Sequence, residues 1–219
     1  QGSFDLYRSY GVSQDELFQS HLCANNKAYA PSDESFKRYD FVFSARFIEE
    51  KNPMFAMDVA SEVGRKLKRR VSLLMMGSGV LDQALRKRAS ELAEYVDVHF
   101  PGFVKQGDLP EYYASARLML FPTAIDTWGV VANEAMAAGV PVFVTPMAGV
   151  AGDLVLDGEN GRVLPLELSR WVDAAVDLLL NDGLRQSMSA NGLRRVQFFS
   201  YSNAAQGIYD AVTFAARRA

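Results

Sequence analysis

Residues 121–144 read FPTAIDTWGVVANEAMAAGVPVFV. An apolar run rich in strand formers ends at Phe121, and a polar, turn-forming stretch follows. A helical segment from about Gly129 to Ala138 closes on Gly139, a residue suited to the left-handed position just past a helix end. A second apolar run, Pro141 to Val144, begins at once. Strand, helix and strand at this spacing predict a βαβ unit, whose strands pair in parallel.

The same alternation extends outward in both directions. Upstream lie FVFSA (41–45), VSLLMM (71–76), VDVHF (96–100) and RLMLF (117–121), each short and continuously apolar. Pro53 opens a helix, being tolerated in a first turn, with an apolar stripe at Phe55, Val59, Val63 and Leu67. Gly77-Ser78-Gly79 turns the chain into a helix carrying Leu81, Leu85, Ala89 and Leu92, and a short helix covers about Leu109 to Ala116. Downstream, GRVLP (161–165) reads as a sixth strand, followed by helices over about Leu168–Leu180, Gly183–Arg195 and Asn203–Arg217. Uninterrupted apolar strands fit a sheet covered on both faces. The expected fold class is α/β, a Rossmann-like doubly wound parallel sheet over residues 41–219. Residues 1–40 are polar, with a short helix over Phe4–Tyr10 ended by Gly11 and loop from Ala24 to Asp40, and are read as an interdomain lead-in. Ligands of such sheets bind beyond the carboxyl ends of the strands. That directs attention to the loops after Ala45, Met76, Phe100 and Phe121.

Composition narrows the function classes. A formal net charge of -3 supplies no global field for nucleic acid, so none is expected as a partner. The basic clusters at Arg65–Arg70 and Arg86–Arg88 read as solvated helix faces. Cys23 is the single cysteine, which excludes an intrachain disulfide and any thiolate metal site, and fits a cytoplasmic location. His21 and His99 are the only histidines and lie far apart, against a His-based triad or metal centre. No apolar run approaches the roughly 18 residues of a membrane span. No signal peptide is read, and Gln1-Gly2-Ser3 carry no argument.

Within residues 121–144, Asp126 and Thr127 sit in the loop and Glu134 lies inside the helix. The first N–H groups of a helix lack internal partners and favour an anion, and Gly129 allows close approach to the backbone. A carboxylate beside the small residues of EAMAAG suits the two hydroxyls of a ribose. The alternative is that Thr127 or Asp126 caps the helix and Glu134 pairs with a nearby Arg or Lys. Arg46 and Lys51 follow the first strand and suit a diphosphate leaving group, in a chain without an Asp-x-Asp metal signature. Their alternative is surface pairing with Glu49 and Glu50.

The stretch from Asp126 through Trp128-Gly129, Glu134-Ala135-Met136 and Gly139-Val140-Pro141-Val142 resembles the signature of group 1 (family 4) glycosyltransferases of GT-B fold. The resemblance spans roughly Phe41 to the C-terminus and implies a C-terminal, donor-binding domain. It implies that Glu134 accepts from the nucleotide ribose and that Asp126, where Glu is usual, contacts the donor sugar. FSARFIEEKN (43–52) resembles the family's G-R-x-x-x-x-K element, with Ala45 where Gly is common, implying Arg46 and Lys51 at the diphosphate. The turn ending at Gly79, the base loop Gly102, Phe103, Val104 and Lys105, and Thr127, Trp128, Gly129 and Val130 are implied donor contacts. Ala148-Gly149-Val150 are implied near the phosphates or sugar. Tyr112 and Tyr113 receive no role, and Asp157-Gly158 and Asn160-Gly161 read as turns.

The implied activity is retaining transfer of a hexosyl group from a nucleotide diphosphate sugar, on UDP or GDP, to a hydroxyl acceptor in glycan or polysaccharide biosynthesis. Arg46, Lys51 and Asp126 are the implied catalytic residues. No metal, cofactor or protein nucleophile is expected. The resemblance also implies an N-terminal acceptor-binding domain that this chain lacks, an inactive fragment, and membrane contact only through a full-length protein. Two rival readings stand beside it: a sugar-nucleotide-binding subunit working with a separate chain, and a sugar-nucleotide epimerase of similar fold.

Overall fold

Six parallel strands form one sheet in the order β3-β2-β1-β4-β5-β6: β1 Tyr39–Ser44, β2 Val71–Met76, β3 Val96–Gly102, β4 Ala116–Phe121, β5 Val142–Val144 and β6 Gly161–Val163. The computed structural model describes residues 2–218, so Gln1 and Ala219 lie outside it. Eight α-helices accompany the strands among the described residues: α1 Gly2–Ser9, α2 Pro53–Leu67, α3 Asp82–Glu91, α4 Leu109–Ala114, α5 Val130–Ala137, α6 Leu168–Leu180, α7 Asp182–Val196 and α8 Tyr201–Ala216. The doubly wound α/β architecture expected from the alternation is therefore present.

The four central strands, β1, β2, β4 and β5, split their side chains between two cores. Phe41, Phe43, Leu73, Met75, Leu118, Leu120 and Phe143 pack with residues of α2 and α6, such as Val59, Val63 and Trp171. Val42, Leu74, Met76, Met119, Phe121, Val142 and Val144 pack on the opposite side with α4 and α5, through Tyr113, Ala132, Ala135 and Met136. Period-two alternation with both faces apolar is what produces runs such as VSLLMM.

Several boundaries differ from the sequence reading by one or two residues, among them the starts of β1 and β5. β1 begins at Tyr39, two residues before its apolar run. The reason is Asp40, whose buried carboxylate is gripped by both terminal nitrogens of Arg69, at 2.8 and 2.9 Å, and accepts from Ser72 N. Those bonds hold its carboxyl below the usual carboxylate range against the opposing effect of burial. β5 begins at Val142, not Pro141. Gly11 and Gly139 both adopt positive φ, at 87° and 74°, where each ends a helix as expected.

The segment ahead of β1 lies against the sheet's flank. It contains three single-turn 3-10 helices, two of them, Asn26–Ala28 and Glu34–Phe36, where loop was expected. Ala24 N donates to Asn133 Oδ1 on α5, and Asn133 Nδ2 donates to Asn26 Oδ1. Asn26 Nδ2 in turn satisfies the carbonyls of Val196 and Phe199 at the end of α7, and Lys37 Nζ donates to the carbonyls of Ala114 and Ala116. These contacts satisfy helix-terminal carbonyls that otherwise lack partners.

Strand order reverses between β1 and β4. At such a switch point neighbouring crossovers run to opposite faces, opening a crevice at the carboxyl edge. The loops after Ser44 and Phe121 flank it.

Candidate functional site

The crevice is a cleft with two adjoining lobes. The larger, about 530 Å³, is lined by Arg46, Ile48, Lys51, Asp126, Thr127, Gly129 and Val130, among others. The smaller, about 210 Å³, is lined by Phe103, Val104, Leu109, Gly77, Ser78 and Glu134. Ser44, Ala45, Arg46 and Val131 border both. All four loops singled out from the strand ends contribute.

Glu134 occupies the smaller lobe and is 8% exposed. Its carboxyl is bound by phenols rather than by the cation weighed as the alternative. Tyr113 Oη lies 3.0 Å from Glu134 Oε2, and the Tyr29 ring packs 6.1 Å from that of Tyr113, where its phenol also bears on the carboxyl. Burial pushes the Glu134 carboxyl up, and the two phenols oppose that shift. Desolvation and the neighbouring Glu134 charge push both phenols above the usual tyrosine range.

Lys51 and Asp126 are joined. Lys51 Nζ sits 2.7 Å from Asp126 Oδ2, with side chains 13% and 21% exposed. The ammonium also donates to Ile125 O and Thr123 Oγ1. The pairing with Glu49 or Glu50 weighed for Lys51 is replaced by this contact. Asp126 Oδ1 accepts from Trp128 N at 3.0 Å, so the carboxylate braces the turn before α5. The N-cap of α5 is Gly129 itself, at φ 101°, without a side-chain cap. A Cβ there would come within 2.8 Å of the buried Phe121 ring, so only glycine fits. The helix N-terminus is therefore open towards the larger lobe, with no acidic side chain in its first turn.

Ala148-Gly149-Val150 act through the backbone. Asp126 N donates to Met147 O, and Gly149 N donates to Asp126 O. A Cβ on Gly149 would lie 2.1 Å from Thr127 O, so the two loops touch main chain to main chain.

Four of the anticipated donor contacts, Gly79, Gly102, Lys105 and Trp128, stand apart from the cleft walls. Gly79 presses on the backbone of Phe47, where a Cβ would meet Phe47 O at 2.4 Å, while Gly77 and Ser78 line the lobe. Lys105 is exposed, and its carbonyl closes the turn into α4. Trp128 turns away to stack near Phe199 and His21, bordering a separate cavity, and its indole N–H has no partner. Gly102 holds φ 78° at the end of β3, where its carbonyl accepts from Gly77 N. Sequence reasoning missed Ser44, Tyr29 and Tyr113. No motif marks them, since their relation to Glu134 exists only once the fold brings them together.

The family model for group 1 glycosyl transferases matches residues 27–195. The chain belongs to that family. The D-inositol 3-phosphate glycosyltransferase of Nocardia farcinica (strain IFM 10152) is 28% identical, over 96% of this chain and 50% of the relative. The chain thus spans about half the length of that curated relative, as it does of one from Rhodococcus jostii (strain RHA1). Two solved structures share the fold. One is the C-terminal domain of a group 1 glycosyl transferase, LpcC, from Francisella tularensis, with TM-score 0.71 and 18% identity over 80% of this chain and 96% of that one. The other is a variant of S. aureus TarM in complex with Fondaparinux, alpha-GlcNAc-glycerol and UDP, with TM-score 0.78 and 16% identity over 95% of this chain and 41% of that one. The glycosyltransferase likeness read from the Asp126–Val142 stretch is met by family model and fold alike. Among the described residues no helix is long and apolar enough to cross a membrane.

Proposed function

We propose that this glycosyltransferase chain binds the nucleotide diphosphate sugar of a retaining hexosyl transfer, in the cleft between β1 and β4. The observation that carries the reading is the order of groups along that cleft. The smaller lobe offers Phe103, Val104, Leu109 and Val131 to a flat base. Glu134, at its edge, accepts from the ribose diol. Arg46, Lys51 and the open N-terminus of α5 receive the diphosphate, with Arg46 supplying planar donors as charge develops on the leaving group. Asp126 and Thr127 meet the sugar end. A neighbour of the same fold carrying UDP supports a uridine or similar nucleotide.

On this reading binding is independent of metal, because Arg46 and Lys51 supply the charge. The acceptor belongs to a further N-terminal domain, and any membrane contact to the full-length protein, which acts in the cytoplasm in glycan or polysaccharide synthesis. This chain alone holds donor without transferring it, since transfer needs the acceptor hydroxyl held about 3–3.5 Å from the anomeric carbon and water excluded.

Calorimetry with UDP, GDP and ADP, with Mg²⁺ and with EDTA, tests the reading. The preferred nucleotide is expected to bind equally well in both, and Glu134→Ala to weaken it at least tenfold, about 1.4 kcal/mol. An unaltered affinity in Glu134→Ala, or a tenfold loss in EDTA, contradicts it.

A further inference from the structure

We infer that Tyr113 and Tyr29 are positioning residues that hold the Glu134 carboxylate for the ribose, with Ser44 fixing Tyr113 from behind. The inference rests on the ribose role proposed above for Glu134, and it draws the segment before β1 into the site.

The hydrogen bonds have a determined direction. Tyr113 Oη lies 2.9 Å from Ser44 Oγ and 3.0 Å from Glu134 Oε2. The phenol has one proton, and an ionised carboxylate can only accept. Tyr113 therefore donates to Glu134 and accepts from the Ser44 hydroxyl. The chain runs from the end of β1, through α4, to α5. Tyr113 is wholly buried, so its phenol has no water to turn to. Tyr29 is 8% exposed, its ring centroid lies 6.1 Å from that of Tyr113, and from the segment before β1 its phenol acts on the same carboxyl. That segment is fastened on either side of Tyr29, by Ala24 and Asn26 to α5 and α7, and by Ser32 Oγ to Ala114 O.

The arrangement solves a specific problem. A glutamate has three side-chain torsions, and on a helix it would sample several rotamers towards the lobe. A ribose diol requires a carboxylate in one orientation with lone pairs facing it. A carboxylate has about four acceptor positions. Two phenols occupy part of that capacity from the protein side and leave the remainder for two ribose hydroxyls. They also keep the buried group ionised, which its desolvation opposes. Among the described residues, Arg46 is the one charged side chain besides Glu134 lining this lobe, and Tyr29 and Tyr113 are the titratable groups bonded to the carboxyl.

The test measures affinity from pH 5.5 to 8.5 for whichever of UDP, GDP and ADP binds the wild-type chain best, and for its 2′,3′-dideoxy analogue. Tyr113→Phe, Tyr29→Phe, Ser44→Ala and Glu134→Gln are compared, with melting temperatures recorded. Tyr113→Phe and Tyr29→Phe are expected each to weaken the ribonucleotide about fivefold near neutral pH. Their loss of affinity on acidification should begin at higher pH than in wild type, because a carboxyl stripped of donors protonates sooner. The dideoxy analogue should bind wild type and variants alike. Should Tyr113→Phe fail to fold, Tyr29→Phe and Ser44→Ala ask the same question from either side. Equal losses for both nucleotides at every pH would mark the tyrosines as packing only and overturn the inference, as would unchanged ribonucleotide binding. If Glu134→Gln itself does not distinguish the two nucleotides, the ribose reading fails and this inference falls with it.

Discussion

The Lys51–Asp126 pair makes a prediction that sequence alone does not. The charges are 2.7 Å apart and mostly buried, at 13% and 21% side-chain exposure. Exposed pairs contribute about 0–1 kcal/mol, whereas losing one partner of a fully buried pair costs about 3–5 kcal/mol. This pair lies between those limits. Asp126→Asn removes the charge but keeps an oxygen for Trp128 N, and Lys51 retains Ile125 O and Thr123 Oγ1. The expected destabilisation is therefore about 1–2 kcal/mol. A double-mutant cycle with Lys51→Met, read by urea unfolding, should return a coupling of similar size. Binding should move the other way. Asp126 neutralises the Lys51 charge, so on the proposed reading a bare nucleoside diphosphate competes with a carboxylate. Asp126→Asn should bind it about two- to tenfold more tightly, an effect of up to about 1.4 kcal/mol. The intact nucleotide sugar, which on the proposed reading gives its hydroxyls to Asp126, should lose affinity instead. A coupling below about 0.3 kcal/mol, or nucleoside diphosphate binding weakened as much as in Lys51→Met, would refute this account of the pair.

Two further outcomes follow from the same geometry. Burial raises the Glu134 carboxyl in the folded chain, so the folded state holds a proton that the unfolded state has already released between the usual glutamate value and the raised one. Glu134 thus costs stability as pH rises through that window, and Glu134→Gln should raise Tm at pH 7, with the gain fading towards about pH 4; a Tm difference independent of pH would exclude this cause. Gly149→Ala places a Cβ 2.1 Å from Thr127 O, which is main chain and cannot swing aside. It should cost about 1–3 kcal/mol in chemical denaturation and weaken nucleotide binding together, and normal behaviour in both assays would show that this contact is not a strut for the 126–129 turn.

The sheet was legible because its strands are buried on both faces. VSLLMM and RLMLF can hardly be anything but interior strands of an α/β layer, and β2 matches its run at both ends. Tyr39 and Asp40 escaped because Asp40 enters the sheet only when Arg69 grips it. The cleft was legible at the level of loops, since strand order dictates where a crevice opens. Pairings within it were not. Lys51 and Asp126 stand 75 positions apart, and nothing in either neighbourhood announces the other. Trp128 shows the same limit within one motif: its backbone N–H serves the turn, while its ring packs behind it with Phe199. Tyr29 sits in a polar stretch with no periodicity, so its approach to Glu134 depends on the Asn26, Asn133 and Ser32 bonds that fasten the segment on either side of it.

The two carboxylates of the signature are held by opposite means, and that difference fits different tasks. Asp126 is neutralised by a cation, in a turn bracketed by Met147 and Gly149 main chain. Its environment stabilises charge, and a ligand reaching it must share or displace Lys51. Glu134 has no cation bonded to it among the described residues and is held by neutral phenols in an apolar lobe. Its charge is uncompensated, so neutral hydroxyl donors gain most by bonding to it, and an anion gains nothing there. On the proposed reading a diphosphate is turned away from Glu134 and drawn towards Arg46, Lys51 and the open start of α5. Electrostatics would then favour one direction of the ligand along the cleft, with nucleoside towards α4 and sugar towards the 126–129 turn. Replacing Glu134 by a residue that keeps size but not charge removes the repulsive part of that bias, whereas replacing Lys51 removes part of the attraction and leaves Arg46 and the start of α5. On this argument the double variant Glu134→Gln, Lys51→Met should lose more affinity for a nucleoside diphosphate than for the corresponding nucleoside, because the nucleoside carries no charge to be steered.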